Sequence, residues 1–170
     1  MITLVVGSTG AGKTTYARKV SAVRSAVVYS IDNWMKDLYG QDMPSNPEPQ
    51  WFYDNQKWYI ERIARCEALI KKIVLARAQI DQPSLLDLGF STKEQRLRFI
   101  EFFKGHGIEV STHFLDVPTE IRKKRVEERN RSKGETFVMT VDGSLFDYME
   151  SIFEAPTEDE GAELLIVHGS

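Results

Sequence analysis

The nine residues GSTGAGKTT at positions 7–15 directly follow the five-residue run ITLVV at 2–6. That run is too short for a helix and has no polar alternation, so it predicts a strand buried on both faces. The loop after it fits G-x-x-x-x-G-K-[ST], with Gly7, Gly12, Lys13 and Thr14 in the required places. Such a loop turns its N–H groups inward around a phosphate chain, which demands positive φ and leaves no room for Cβ atoms. A helix starting at Lys13 adds unpaired amides and the positive end of its dipole. The pattern therefore predicts a bound nucleotide cradled by Gly7, Ser8, Thr9, Gly10, Ala11, Gly12, Lys13, Thr14 and Thr15. Lys13 would reach the β and γ phosphates of ATP, and the Thr14 hydroxyl would ligate Mg²⁺. The plainer alternative is a strand-turn-helix connection that happens to be glycine-rich; with glycine at roughly 7% of residues, the full pattern arises by chance in well under about one chain in a hundred of this length.

The rest of the chain repeats this alternation. Further strand candidates lie at 26–30, 84–88, 110–116 and 164–167, separated by helical patterns, which predicts an α/β fold with a parallel sheet covered by helices. A long helix is expected over 52–79, with Ile60, Ile63, Ile70 and Val74 at helical spacing. Another should start at a capping box of Ser91 and Glu94, bury Leu97, Ile100 and Phe103, and end at Gly105. Leu145, Met149, Ile152 and Phe153 mark a last amphipathic helix and read as core. The stretch 39–50 carries three prolines without periodicity and reads as an exposed loop.

At 170 residues, 42% apolar and a net charge of −3, the chain is expected to form one domain over 1–170 and shows no disordered or nucleic-acid-coating character. Its single cysteine, Cys66, excludes an internal disulfide and a thiolate zinc site, and fits a reducing compartment as a buried thiol. With no charged apolar leader and no 18-residue apolar span, the expectation is a cytoplasmic protein without a membrane segment. His106, His113 and His168 are not spaced as metal ligands and receive no role.

Phosphoryl transfer needs a second acidic group near the metal, cations for the transferring charge, and a group that aligns the acceptor. Asp87, ending the run SLLD, is placed for the first, with a solvated turn aspartate as the alternative. Arg125 and Arg129 are four apart and share a helix face, as a lid would need. They belong to a run, 121–134, with seven cationic side chains against two glutamates; a solvated charged helix is the other reading. Asp32, in SIDNW, either caps a helix or accepts a hydrogen bond from a substrate hydroxyl and aligns its oxygen. The residues alone leave that choice even.

Taken together, GSTGAGKTT, SIDNW, LLDLGFSTKEQR, FLDVPTEIRKKRVEER and TVDGSLFDYMESIFEAP with the following TEDE resemble the polynucleotide kinase branch of P-loop kinases and its AAA-type, zeta-toxin and chloramphenicol phosphotransferase-like relatives. The resemblance spans most of the chain. It implies a five-stranded sheet ordered 2-3-1-4-5 and a short arginine lid over 118–135. It further implies that Asp32 aligns the acceptor, Arg125 and Arg129 are lid arginines, and Asp87 is the acidic residue near acceptor and metal. In one respect the chain departs from it. The polynucleotide kinases carry an arginine for substrate phosphate three residues after the aligning aspartate, where this chain has Met35. An alcohol of a small molecule or a sugar nucleotide is therefore the favoured acceptor, ahead of a nucleic-acid 5′ hydroxyl, and Trp34, Trp51, Phe52, Tyr53 and Trp58 are candidates to line its pocket. A nucleotide-dependent switch or ATPase acting through a protein partner is the rival reading.

Overall fold

The alternating apolar runs and helical patterns assemble into one parallel sheet between helices. The computed structural model describes residues 1–45, 47–133 and 140–169. Within these, the strands are β1 (Ile2–Val6), β2 (Val27–Ser30), β3 (Ser84–Asp87), β4 (Val110–Asp116) and β5 (Glu163–His168). The helices are α1 (Lys13–Arg24), α2 (Ile31–Tyr39), α3 (Pro49–Asp54), α4 (Gln56–Ala78), α5 (Lys93–Gly105), α6 (Thr119–Ser132) and α7 (Gly143–Ser151). The strand order is 2-3-1-4-5 and every neighbouring pair is parallel, as expected.

Strand periodicity divides the core in two. Ile2, Leu4 and Val6 of β1 pack with Ile70 and Val74 of α4 and Phe99, Ile100 and Phe103 of α5. Val5, on the other face, packs with Leu85, Leu115 and Ala17 of α1. Because the order is 2-3-1-4-5, the connection leaving β1 runs to one side, toward β2, while those leaving β3 and β4 run to the other, so the chain diverges between the neighbouring strands β1 and β3. A crevice opens at the carboxyl edge, where this type of sheet binds its ligands.

Several local expectations shift. The helix expected over 52–79 is two helices, because Asn55 leaves helical geometry at φ −115° and ψ 22°, with its side-chain amide donating to the Trp51 carbonyl at 2.9 Å. The capping box of α5 sits one residue later than expected, on Thr92 and Gln95, while Glu94 is exposed. α5 ends at Gly105, as expected, and the left-handed residue beyond it is Gly107 at φ 73°. In α7 the buried side chain is Phe146; Leu145 packs against its cluster while bordering a cavity, Phe153 packs on the main core as expected, and Met149 and Ile152 line the cavity. Cys66 is buried in α4, as expected. Of the lid range 118–135, residues 134 and 135 lie outside the described residues. No helix among the described residues is long and apolar enough to cross a membrane.

Candidate active site

Gly10 and Gly12 hold φ 81° and 90°, the left-handed conformation that the loop requires. Gly7 serves close approach: a Cβ there would lie 3.0 Å from the Ala11 Cβ. α1 begins at Lys13 with no side-chain cap and no acid in its first turn, so its amides and dipole face the crevice unneutralised. The Lys13 ammonium donates to the Gly7 carbonyl at 2.8 Å and to the Ser8 carbonyl at 3.4 Å. Burial lowers its pKa, opposed by the charges of Asp87 and Asp32. Neutral carbonyls are modest acceptors for a desolvated ammonium, and a phosphate oxygen is a stronger one.

Parallel register sets the two carboxylates side by side. Ser30 and Asp87 are partners at the ends of β2 and β3, and Asp32 follows two residues after Ser30. The cap of α2 is Ser30, whose hydroxyl accepts from the Asn33 amide at 3.4 Å, so Asp32 is free of the capping role. The Thr14 hydroxyl donates to Asp87 Oδ2 at 2.9 Å. Burial raises the Asp87 pKa, while Lys13 and the Thr14 hydrogen bond pull it back. The Asp32 carboxylate opens into the cleft, yet the surrounding walls exclude enough water to raise its pKa, and Asp87 raises it further against Lys13 and Arg129. Thr14 and Asp87 together are a hard-oxygen pair. Such a pair suits Mg²⁺, which takes few protein ligands and completes its shell with phosphate and water. No cluster of three His, Cys, Asp or Glu among the described residues offers a rival metal site.

α6 crosses the loop from the β4 side. Arg125 Nη1 donates to the Ala11 carbonyl at 3.2 Å. Burial lowers the Arg129 pKa while Asp32 raises it, and Arg129 Nε is buried without a hydrogen bond among the described residues. Residues 9–15 of the loop, Asp32, Asp87, Arg125 and Arg129 all border one cavity of about 1060 Å³, and Gly7 and Ser8 do not.

Of the five aromatics expected near the acceptor, Phe52 and Tyr53 line this cavity. Trp34, Trp51 and Trp58 do not; Trp51 stands edge-on to Phe52 and Trp58, at 5.2 and 5.6 Å between centroids, and supports the wall from behind. Tyr59, which sequence reasoning passed over, also lines it. Burial and the charge of Asp32 push its phenol up to about 12, so it is a neutral hydrogen-bond donor beside the carboxylate. Arg122 was hidden in the basic run. It is buried and donates to the Val117 and Thr9 carbonyls at 2.8 and 3.4 Å, and pairs with Glu150 at 2.5 Å. Glu150 in turn accepts from the Ser8 hydroxyl at 3.3 Å.

The strand order, the loop and the crevice define a P-loop kinase fold. A family model described as an AAA domain matches residues 2–156, and the chain belongs to that family. No curated protein matches the chain. Among solved structures, Kti12 from Chaetomium thermophilum, in complex with ADP-AlF3, is 16% identical with a TM-score of 0.68, over 99% of this chain and 89% of that one. A sugar kinase from Janibacter sp. HTCC2649 is 19% identical with a TM-score of 0.62, over 98% and 84%. The APS kinase CysC from Mycobacterium tuberculosis, in complex with AMPPNP and APS, is 16% identical with a TM-score of 0.61, over 99% and 88%. At these identities the likeness establishes the fold alone.

Proposed function

We propose that residues 1–170 act as one Mg²⁺-dependent phosphotransferase domain that moves the γ-phosphoryl group of ATP to an alcohol oxygen. The acceptor is a small molecule or sugar nucleotide in preference to a nucleic-acid 5′ hydroxyl. The observation that carries this reading is the placement of Asp32: a carboxylate that is not a helix cap, coupled to Asp87, Lys13 and Arg129, in the cavity that the loop borders. Sugar and APS kinases among the structural neighbours favour a hydroxyl acceptor.

In this reading the loop amides and Lys13 hold the β and γ phosphates, and Arg125 and Arg129 meet charge that develops on the transferring group. Asp32 accepts a hydrogen bond from the acceptor hydroxyl and aligns its oxygen with the γ phosphorus. The oxygen–phosphorus bond forms as the bond to the bridging oxygen breaks, ADP departs with that electron pair, and the hydroxyl proton passes to Asp32. The transition state is loose, so proton transfer comes late and alignment is the larger contribution. Thr14 and Asp87 would hold Mg²⁺, and that ion would supply neutralisation of the phosphate charge. The raised pKa of Asp32 suits a group that must take up a proton.

The test uses γ-labelled ATP with pooled alcohols and separates the products. Asp32→Asn should lower transfer by about 10²–10⁴-fold while nucleotide binding survives; full transfer in that variant would remove Asp32 from the role. Lys13→Met should lose nucleotide affinity. A second reading, a nucleotide-dependent switch acting through a protein partner, is favoured by the Ser8–Glu150–Arg122 linkage, which ties the loop to α6 and α7. It expects label only in inorganic phosphate and turnover that rises on adding a partner.

A further inference from the structure

The cavity has two chemically different halves, and the topology divides them. On the β4 side and along α1 its lining includes Lys19, Arg125 and Arg129, with Lys13 at the seam. On the side built after β2 and β3, the walls are Pro49, Phe52, Tyr53, Tyr59, Ile60 and Ile63, and the charged lining residues are Asp32, Glu67 and Asp87. Among the described residues lining that half, none is cationic.

The cations nearby are engaged elsewhere. Arg98 pairs with Glu67 at 3.2 Å and is half-exposed on α5, outside the lining. Arg62 lies over the Trp58 ring at 3.9 Å and donates to the Trp58 carbonyl at 3.1 Å, behind the wall. Met35, three residues after Asp32, is 2% exposed in the core and does not face the cavity. Tyr53 and Ile60, by contrast, are 61% and 55% exposed, so apolar surface stands open to water where a substrate body would lie. Phe52 and Tyr59 meet edge to face at 5.1 Å and form a fixed aromatic wall.

An acceptor carrying its own phosphate would bring a dianion to a wall whose lining acids are Asp32, Glu67 and Asp87; Arg98 is spent on Glu67, and the cations that act on Asp32, Lys13 and Arg129, are those that the donor phosphates use. Like charges so placed reject a ligand, and burying an unpaired anion adds to the cost. A flat apolar body fills the same space well, and an ammonium is tolerated near the acids and the aromatic faces. Resting on the transferase reading above, we propose that the acceptor is an uncharged or cationic alcohol with an apolar or aromatic body and no phosphate. It packs on Phe52, Tyr59 and Ile60 and presents its hydroxyl to Asp32. This narrows the acceptors above by excluding sugar nucleotides and phosphate-flanked 5′ ends.

The test offers matched sets to the full chain with Mg²⁺ and γ-labelled ATP: benzyl alcohol bearing a para methyl, aminomethyl or phosphate group, and a nucleoside with its 3′-monophosphate. Binding of the same compounds is read in parallel by saturation-transfer NMR with ADP and Mg²⁺ present. The neutral and amine members should bind, and take label, at least about tenfold better than their phosphate counterparts. Equal or better transfer to the phosphate members overturns the proposal and leaves the transferase reading standing. Selective binding of the neutral and amine members with label only in inorganic phosphate overturns the transferase reading and leaves the charge selection standing. Failure of every neutral and amine member to bind overturns the proposal. Gln56→Arg puts a cation on the same wall at an exposed helical position and should raise the phosphate members about tenfold. No change in that variant, with ATP binding retained, shows that wall charge does not set the choice and refutes the proposal.

Discussion

Glu160→Gln should lower the melting temperature by roughly 6–20 °C, because it strands a buried arginine. The Arg96 side chain is 0% exposed and that of Glu160 is 2% exposed. The guanidinium forks onto the carboxylate, Nε to Oε2 at 2.7 Å and Nη2 to Oε1 at 2.6 Å, and its Nη1 donates to the Glu154 carbonyl at 2.7 Å. Glutamine keeps one acceptor, turns an NH₂ toward the second donor and removes the countercharge. Breaking a pair of this kind costs about 3–5 kcal/mol, and each kcal/mol moves the melting point of a chain this size by about 2–4 °C. The pair joins α5, whose first turn contributes Gln95 to the cavity, to the segment entering β5. Replacing both partners, Arg96→Met with Glu160→Leu, removes both desolvation penalties but leaves the Glu154 carbonyl and the Thr157 amide without their bonds. These two losses, about 1–3 kcal/mol each, oppose a gain of about 1–4 kcal/mol, so at the centre of those ranges the double variant should lie roughly 1–2 kcal/mol below the wild type, a smaller loss than that of Glu160→Gln. Urea denaturation with an unchanged m-value, at low and high salt, measures the cycle; salt should alter it little because the pair is buried. A melting shift for Glu160→Gln below about 3 °C, or a double variant worse than the sum of the singles, would refute the reasoning.

Asp32→Asn should stabilise the fold while it lowers transfer. A carboxylate whose folded pKa lies above 3.8 binds its proton more tightly folded than unfolded, so it opposes folding as pH rises through the folded value. The variant should therefore melt higher than the wild type at pH 7, and the gain should vanish toward pH 3.8 and below; calorimetry across that range checks it. The same raised pKa should move the acid limb of the transfer rate above the ordinary aspartate range, as a pH–rate profile would record. Gly10→Ala should weaken both fold and nucleotide affinity, since its Cβ would lie 2.6 Å from the Arg122 carbonyl at φ 81°. Gly105→Ala, with nothing within 4 Å of its Cβ, should instead stabilise by about 0.5–1 kcal/mol.

The legible parts of this chain were those whose physics is local. The loop at 7–15 announces its own geometry, because positive φ at Gly10 and Gly12 leaves a compositional trace. Strands at the sheet centre are short apolar runs, and β1, β3 and β4 were readable for that reason. The capping box falls on Thr92 and Gln95 although Ser91 and Glu94 satisfy the same spacing one residue earlier, because only tertiary packing selects between the registers. Arg96 was invisible: an arginine on a helix reads as solvated, and the carboxylate that makes its burial tolerable lies 64 positions away. Tyr59, Ile60 and Met149 are illegible as cavity residues for a different reason. Helical periodicity reports that a side chain faces inward, and it is silent on whether that inner space is filled by protein or left as a cavity. A substrate wall and a core face obey the same pattern, since both are apolar surfaces turned away from bulk water. The exposed 55% of Ile60, set against the 0% of Ile70 on the same helix and in the same period, is the difference between them, and it exists only once the chain has folded.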